Sequence, residues 1–155
     1  MSLEIGQPAP EFSGTDDTGK VISRSSLLGR WVVLYFYPKD NTPGCSIEAN
    51  KFEQILPELN ALGAEVIGVS TDSGTSHAKF REKCGLSFPL LADTDKSIGK
   101  AYGVLGGLMG MIGIAARETF LIDPQGNLAQ HWKMVNPMTH ALEVKQALEK
   151  LIEKN

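Results

Sequence analysis

The chain has little of what marks several protein classes. It contains two cysteines and three histidines among 155 residues. Two cysteines are too few for a disulfide scaffold, and the histidines have no spacing that joins them to the cysteines as metal ligands. Neither a phosphate-binding glycine loop nor a dinucleotide fingerprint follows a predicted strand. We therefore expect no disulfide framework, no metal and no nucleotide cofactor.

The chain also has no strong excess of one charge and no long apolar segment. Fifteen basic and 18 acidic residues give a net charge of −3 without a basic run, which argues against nucleic acid or a membrane surface as a partner. The first residues lack the positive and apolar segments of a secretory signal, so the expected location is cytoplasmic. Segment 104–116 is apolar but shorter than the roughly 20 residues that a bilayer requires. Its glycines and methionines predict a flexible loop.

The length fits one domain spanning residues 1–155 with a self-sufficient core. The hydrophobic pattern predicts an N-terminal hairpin, then alternating strands and helices, then two antiparallel strands and a last helix. The predicted strands are 31–37, 64–69, 88–91, 118–122 and 128–132, and the predicted helices are 45–62, 73–84, 93–102 and one that opens at 136–137. This order indicates an α/β fold with a mixed central sheet and helices on both faces.

Cys45 stands where a helix is predicted to begin, directly after the turn that follows the strand 31–37. The unpaired N–H groups and the positive end of the helix dipole at such a position favour the thiolate, which is the nucleophilic form of cysteine. Simple packing is the alternative, because free cysteines are often buried. The proline, threonine and glycine that precede Cys45 at fixed offsets favour a reactive thiol.

The same turn carries a resemblance to a known family. Pro38, Thr42 and Cys45 match the Pro-x-x-x-Thr-x-x-Cys motif of peroxiredoxins. Segment 6–12 is similar to the N-terminal segment of that family, and segment 117–123 is similar to the strand that carries its active-site arginine. The resemblance spans nearly the whole chain and is strongest to the Q-type group, also called bacterioferritin comigratory proteins.

This resemblance implies a thioredoxin-like fold and the reduction of hydrogen peroxide or organic hydroperoxides. Cys45 would be the peroxidatic cysteine that becomes a sulfenic acid, Thr42 and Arg117 would orient the peroxide, and Pro38 would shield the site. The family also implies a thioredoxin or a similar thiol as reductant, and a monomer. From the residues alone, Thr42 has the alternative role of an N-cap or turn residue, which is compatible with a role in the site. An isolated arginine at position 117 is more often a surface cation. Glu48 either orders Arg117 or is an acid in the first helical turn.

The chain departs from the family pattern at the resolving cysteine. Many Q-type members have a cysteine five residues after the peroxidatic one, and here that position is Asn50. Cys84, which lies 84 − 45 = 39 residues after Cys45, is the candidate in its place. It shares a helix face with Phe80 and lies in a last helical turn, which opposes a thiolate unless Arg81 and Lys83 offset this effect. Resolving cysteine and packing residue therefore both stay open.

Two other functions compete with a thiol-dependent peroxidase. A redox sensor would use the oxidation of Cys45 to change a partner surface, and it would not turn over with a thiol donor. A general thiol–disulfide oxidoreductase would need a second thiol three positions from Cys45, where the chain has Thr42.

Overall fold

A computed structural model describes residues 3–154. A two-stranded antiparallel hairpin, β1 (Ser13–Thr15) with β2 (Val21–Ser23), precedes a short 3-10 helix at Ser25–Leu27. The central strands are β3 (Trp31–Phe36), β4 (Ala64–Ser70), β5 (Leu90–Ala92), β6 (Glu118–Ile122) and β7 (Leu128–Trp132). The helices are α1 (Pro43–Ala61), α2 (Gly74–Cys84), α3 (Ser97–Ala101), α4 (Gly107–Met111) and α5 (His140–Glu153).

The central sheet is mixed, with the strand order β5-β4-β3-β6-β7. Strands β3, β4 and β5 are parallel, whereas β6 runs antiparallel to β3 and β7 antiparallel to β6. The apolar run that begins at Trp31 is therefore the middle strand, and it is buried along its whole length. The predicted mixed sheet with an N-terminal hairpin is confirmed.

Alternate side chains of β3 enter two separate cores. Val33 and Tyr35 pack with the apolar faces of α1, α2 and α5. Val32 and Leu34 pack on the other face with α3 and with the chain before β3. Both faces of the sheet are thus covered, which explains why the sequence of β3 shows no polar alternation. Within residues 3–154, every helix is too short or too polar to cross a bilayer.

Three predicted elements differ from the observed ones. The helix predicted over 93–102 covers only Ser97–Ala101. The Asp93 carboxylate accepts hydrogen bonds from the N–H groups of Ile98 and Gly99, so Asp93 stabilises the first turn of the helix from outside and is not part of it. Segment 104–116 contains the short helix α4 rather than loop alone.

The last helix begins at His140, so the predicted start at 136–137 was too early. The Asn136 side chain accepts a hydrogen bond from the N–H of Met138, and the Asn136 carbonyl accepts from Thr139 and His140. These bonds form a separate turn in front of α5.

Candidate active site

Cys45 is the third residue of α1, and Thr42 stands at the N-cap position. The first backbone hydrogen bond of the helix runs from the N–H of Ser46 to the carbonyl of Thr42 at 2.9 Å, so the N–H of Cys45 lies in the turn whose donors have no helical acceptor. The Cys45 residue is 1% exposed. Its sulfur therefore lies in a low-dielectric environment at the positive end of a 19-residue helix.

Arg117 reaches Cys45 because of the sheet register. β6 runs antiparallel to β3, and Glu118 pairs with Phe36 at the carboxyl end of β3. Arg117, which directly precedes β6, thus lies at the end of the sheet where the turn towards Cys45 begins. Nη2 of Arg117 donates to Sγ of Cys45 at 3.4 Å. The structure brings these two predicted residues together, and Arg117 is not a free surface cation, since its side chain is 18% exposed.

Glu48 binds the other side of the same guanidinium. Nη1 of Arg117 donates to Oε1 of Glu48 at 2.8 Å, which fixes the guanidinium between the carboxylate and the sulfur. Burial disfavours the charge of Arg117, but the charges of Cys45 and Glu48 outweigh it and raise the pKa of Arg117. The ordering role expected for Glu48 has the required geometry.

Burial dominates the titration of Glu48 itself. It raises the pKa of Glu48 to about 7, although the neighbouring Arg117 acts in the opposite direction. Within residues 3–154, Oε2 of Glu48 and the hydroxyl of Tyr35 are the buried side-chain oxygens without a hydrogen-bond partner. Glu48 is therefore a carboxyl group that changes protonation near neutral pH one helical turn from the sulfur.

The hydroxyl of Thr42 does not cap α1. It donates to the carbonyl of Lys39 at 2.9 Å, and no helical N–H donates to it. With its hydrogen used on Lys39, the oxygen presents lone pairs that can accept a hydrogen bond from a ligand. Pro38 is half-buried and begins the turn that carries Thr42, and its shielding role stays a prediction.

The sequence analysis noted Gly44 only as part of the turn before Cys45, and its contact with Arg117 was not predicted. A Cβ atom at this position would lie 3.0 Å from Nη2 of Arg117 and 3.7 Å from Cγ of Pro137. Any side chain here would push the guanidinium away from the sulfur. The absence of a side chain at Gly44 thus permits the close approach of Arg117 to the first turn of α1.

Cys84 is the last residue of α2 and is half-buried. It packs against the same apolar cluster that contains Cys45, and both cysteines are free thiols. The offset expected from Arg81 is not observed, because its guanidinium donates to Asp17 and to the carbonyls of Leu86 and Phe88. A direct bond between the sulfurs requires Cα atoms within about 7 Å, and unwinding of the start of α1 to bring Cys45 to Cys84 stays a prediction.

Segment 104–116 exposes four large apolar side chains: Leu108, Met109, Met111 and Ile112. Its end is tied to the chain after β4, since the Thr71 hydroxyl donates to the carbonyl of Gly113 at 2.6 Å. Within the described residues, no three His, Cys, Asp or Glu side chains are arranged to hold a metal ion.

The arrangement is suited to a substrate that gains negative charge as sulfur attacks it. The guanidinium beside the sulfur is a charged donor for an oxygen that leaves. The oxygen of Thr42 accepts from an O–H group. Together these groups can bind a molecule that has two linked oxygens, one of them carrying a hydrogen.

Comparison with known proteins agrees with this chemistry. The model of the AhpC/TSA family matches residues 5–131. Peroxiredoxin Bcp of Bacillus subtilis strain 168 is 42% identical over 158 aligned positions, which cover 99% of this chain and all of the relative.

Solved structures are similar over the same extent. A cysteine-to-serine mutant of Xylella fastidiosa PrxQ has a TM-score of 0.92 and 35% identity, covering 98% of this chain and 99% of its own. Bacterioferritin comigratory protein of Xanthomonas campestris, studied as a trapped intermediate/ligand complex for its alkyl peroxide reduction activity, has a TM-score of 0.87 and 37% identity over 96% of both chains.

Proposed function

The chain belongs to the AhpC/TSA family as a peroxiredoxin similar to the Bcp and Q proteins, and from this premise we propose that Cys45 is its peroxidatic cysteine. The observation that carries the proposal is the 3.4 Å contact between Sγ of Cys45 and Nη2 of Arg117 at the start of α1. It places this thiol at the start of a helix and next to a charged donor. Cys84, at the carboxyl end of α2, lacks both features.

The protein is a peroxidase that uses a thiol reductant. In the step proposed for Cys45, the thiolate attacks the terminal oxygen of a hydroperoxide, ROOH. The S–O bond forms as the O–O bond breaks, OH is transferred to sulfur, and RO⁻ leaves and takes a proton from solvent. The sulfur loses two electrons and becomes a sulfenic acid, while the peroxide is reduced to an alcohol or to water.

Arg117 and Thr42 are proposed to supply most of the rate acceleration. Ionising the thiol gives only a small net gain, because the nucleophilicity of a thiolate falls as its pKa falls, with a Brønsted slope of about 0.4–0.5. A donor aimed at the developing charge contributes a few kcal/mol. Arg117 is placed to donate to the leaving oxygen, and Thr42 to accept from the hydroperoxide O–H.

The remaining cycle needs a thiol that reduces the sulfenic acid. We propose that Cys84 condenses with the oxidised Cys45 after the first turn of α1 opens, and that a thioredoxin reduces the resulting disulfide. The shared apolar cluster around both cysteines supports this route. Hydrogen peroxide and organic hydroperoxides are the proposed substrates, and a cytoplasmic monomer that functions as one domain is the proposed form.

Hydroperoxide consumption in the presence of thioredoxin and its reductase tests the proposal. Wild-type protein should consume substrate through many turnovers, and Cys45→Ser should consume none above background. Consumption by Cys45→Ser at the wild-type rate would refute the assignment of the sulfur.

A further inference from the structure

A buried polar network joins the turn before Cys45 to α2. The carboxylate of Asp40 accepts three hydrogen bonds: from the Tyr37 hydroxyl at 2.6 Å, from the Ser76 hydroxyl at 2.7 Å and from Nδ1 of His77 at 2.7 Å. The side chains of Asp40 and His77 are 1% and 0% exposed. Groups of this kind are rarely buried unless they are fully paired.

The partners of His77 decide its protonation. Nε2 lies 2.8 Å from the carbonyl of Leu91, which only accepts, so Nε2 carries a hydrogen. The Asp40 carboxyl group accepts from two hydroxyl groups and lies 2.7 Å from Nδ1. With a hydrogen on Nδ1 as well, the ring is an imidazolium paired with a carboxylate. Burial alone would lower the pKa of His77, but the hydrogen bond and charge of Asp40 outweigh it and raise that pKa.

Other charged groups surround the pair. Asp72, after β4, and Asp17, in the hairpin turn, lie close enough to act on His77. Arg81, one turn further along α2, is held by Asp17. The Tyr37 hydroxyl faces the pair from the end of β3. Asp40 makes the direct ion pair, at 2.7 Å.

Asp40 is the anchor of the turn that leads to Cys45. Its N–H donates to the carboxylate of Asp72 at 2.8 Å, so both its backbone and its side chain are fixed. Among the described residues, hydrogen bonds from segment 38–44 to other parts of the chain converge on Asp40. Asn41 follows in a left-handed conformation with φ of 63°, and Thr42 comes next. The position of the turn is thus set at Asp40.

We propose that Asp40 and His77 are positioning residues for peroxide reduction, because their buried ion pair fixes the turn that places Thr42 and Cys45 relative to Arg117. This inference rests on the proposed role of Cys45. Neither residue touches the reacting atoms. A misplacement of a reacting group by about 1 Å can lower a rate about 100-fold, so loss of the pair should reduce kcat/KM for hydroperoxide by about 10- to 100-fold.

Three variants test the proposal. His77→Phe keeps an aromatic ring but removes both donors. Asp40→Asn keeps the shape of the side chain, and its amide can donate to Nδ1 of a neutral His77. The variant therefore removes the ion pair but retains a hydrogen bond, and its kcat/KM should fall by only about 3- to 10-fold. Asp16→Asn is the matched control, since Asp16 is also buried and accepts three hydrogen bonds, but within the turn of the hairpin. Its rate should stay at the wild-type level.

The measurements are the single-turnover rate with hydroperoxide and the ¹⁵N NMR spectrum of the histidine rings. Wild-type His77 should show two protonated ring nitrogens at neutral pH, and Asp40→Asn should lose the proton on Nδ1. Rates of folded His77→Phe and Asp40→Asn that match the Asp16→Asn control would overturn the proposal. If His77→Phe does not fold, the rate of Asp40→Asn compared with that of Asp16→Asn tests the proposal. An inactive wild-type protein would instead refute the role of Cys45, and the NMR spectrum would still test the ion pair.

Discussion

Replacement of Arg117 by lysine is the sharpest perturbation of the site. The guanidinium uses two nitrogens at once, Nη2 for the sulfur of Cys45 at 3.4 Å and Nη1 for Glu48 at 2.8 Å. Lysine keeps the positive charge but has one nitrogen, so it cannot reproduce this fork. We expect the lysine ammonium to bind the Glu48 carboxylate and to lose contact with the sulfur of Cys45.

The expected loss follows from the value of one charged donor. A hydrogen bond to a charged group contributes about 2–3 kcal/mol, and 1.36 kcal/mol corresponds to a factor of ten in rate. Arg117→Lys should therefore lower kcat/KM for hydroperoxide by roughly 30- to 150-fold. The fold should persist, because Glu48 keeps a cation and can also take up a proton, given its pKa of about 7.

Stopped-flow measurement of the first oxidation, which does not depend on the reductant, is the suitable assay. Arg30→Lys is the control, because Arg30 forms an ion pair with Glu65 at the surface, where its side chain is 44% exposed, and its rate should not change. A loss of less than about threefold in Arg117→Lys, far below the value of one charged donor, would refute the role given to the guanidinium.

Three further predictions concern Glu48, Gly44 and Cys84. Burial raises the pKa of Glu48 from 4.5 to about 7, so the folded protein holds a proton that the unfolded chain releases, and this contribution to stability is present at low pH and lost as the pH rises through 7. Between pH 5 and 8 the free energy of unfolding of the wild type should therefore fall by roughly 2–3 kcal/mol more than that of Glu48→Gln; parallel urea-unfolding profiles would contradict this. Gly44→Ala should raise the free energy of unfolding by up to about 1 kcal/mol but displace Arg117 and lower kcat/KM by roughly 3- to 10-fold. Gly74→Ala is the control and should keep full activity, because a Cβ atom there meets nothing within 4 Å. Equal activities of the two variants would refute the argument from the close approach of Arg117. Cys84→Ser should keep the first oxidation step and lose repeated turnover with thioredoxin, and undiminished cycling would rule out a resolving role.

The sequence was sufficient for the parts of the site that follow from local pattern. An apolar strand that ends at a proline and is followed by a helix start located Cys45, and the family motif added Thr42. Arg117 was expected from the resemblance, because segment 117–123 is similar to the strand that carries the active-site arginine of the family. Its contact with Cys45 depends on the antiparallel register of β6 on β3, which the local pattern did not predict.

The parts that were missed depend on distant pairing. Asp40 and His77 are 37 residues apart, and neither has a spacing that marks it. A buried histidine in a helix with a mostly polar sequence looks like an ordinary core residue. The approach of Arg117 to Gly44 joins segments that are far apart in the sequence, so the local pattern did not predict it. The turn that delays α5 is held by local hydrogen bonds to Asn136, and the sequence analysis took this turn for the start of the helix.

The central claim is that a hydroperoxide reacts with the sulfur of Cys45. The most direct test is mass spectrometry of Cys84→Ser after one equivalent of hydroperoxide and a probe specific for sulfenic acids. We predict that the peptide with Cys45 carries the probe in near-stoichiometric amount and that Arg117→Lys in the same background slows its labelling. Consumption of the hydroperoxide while Cys45 remains an unmodified thiol would contradict the account.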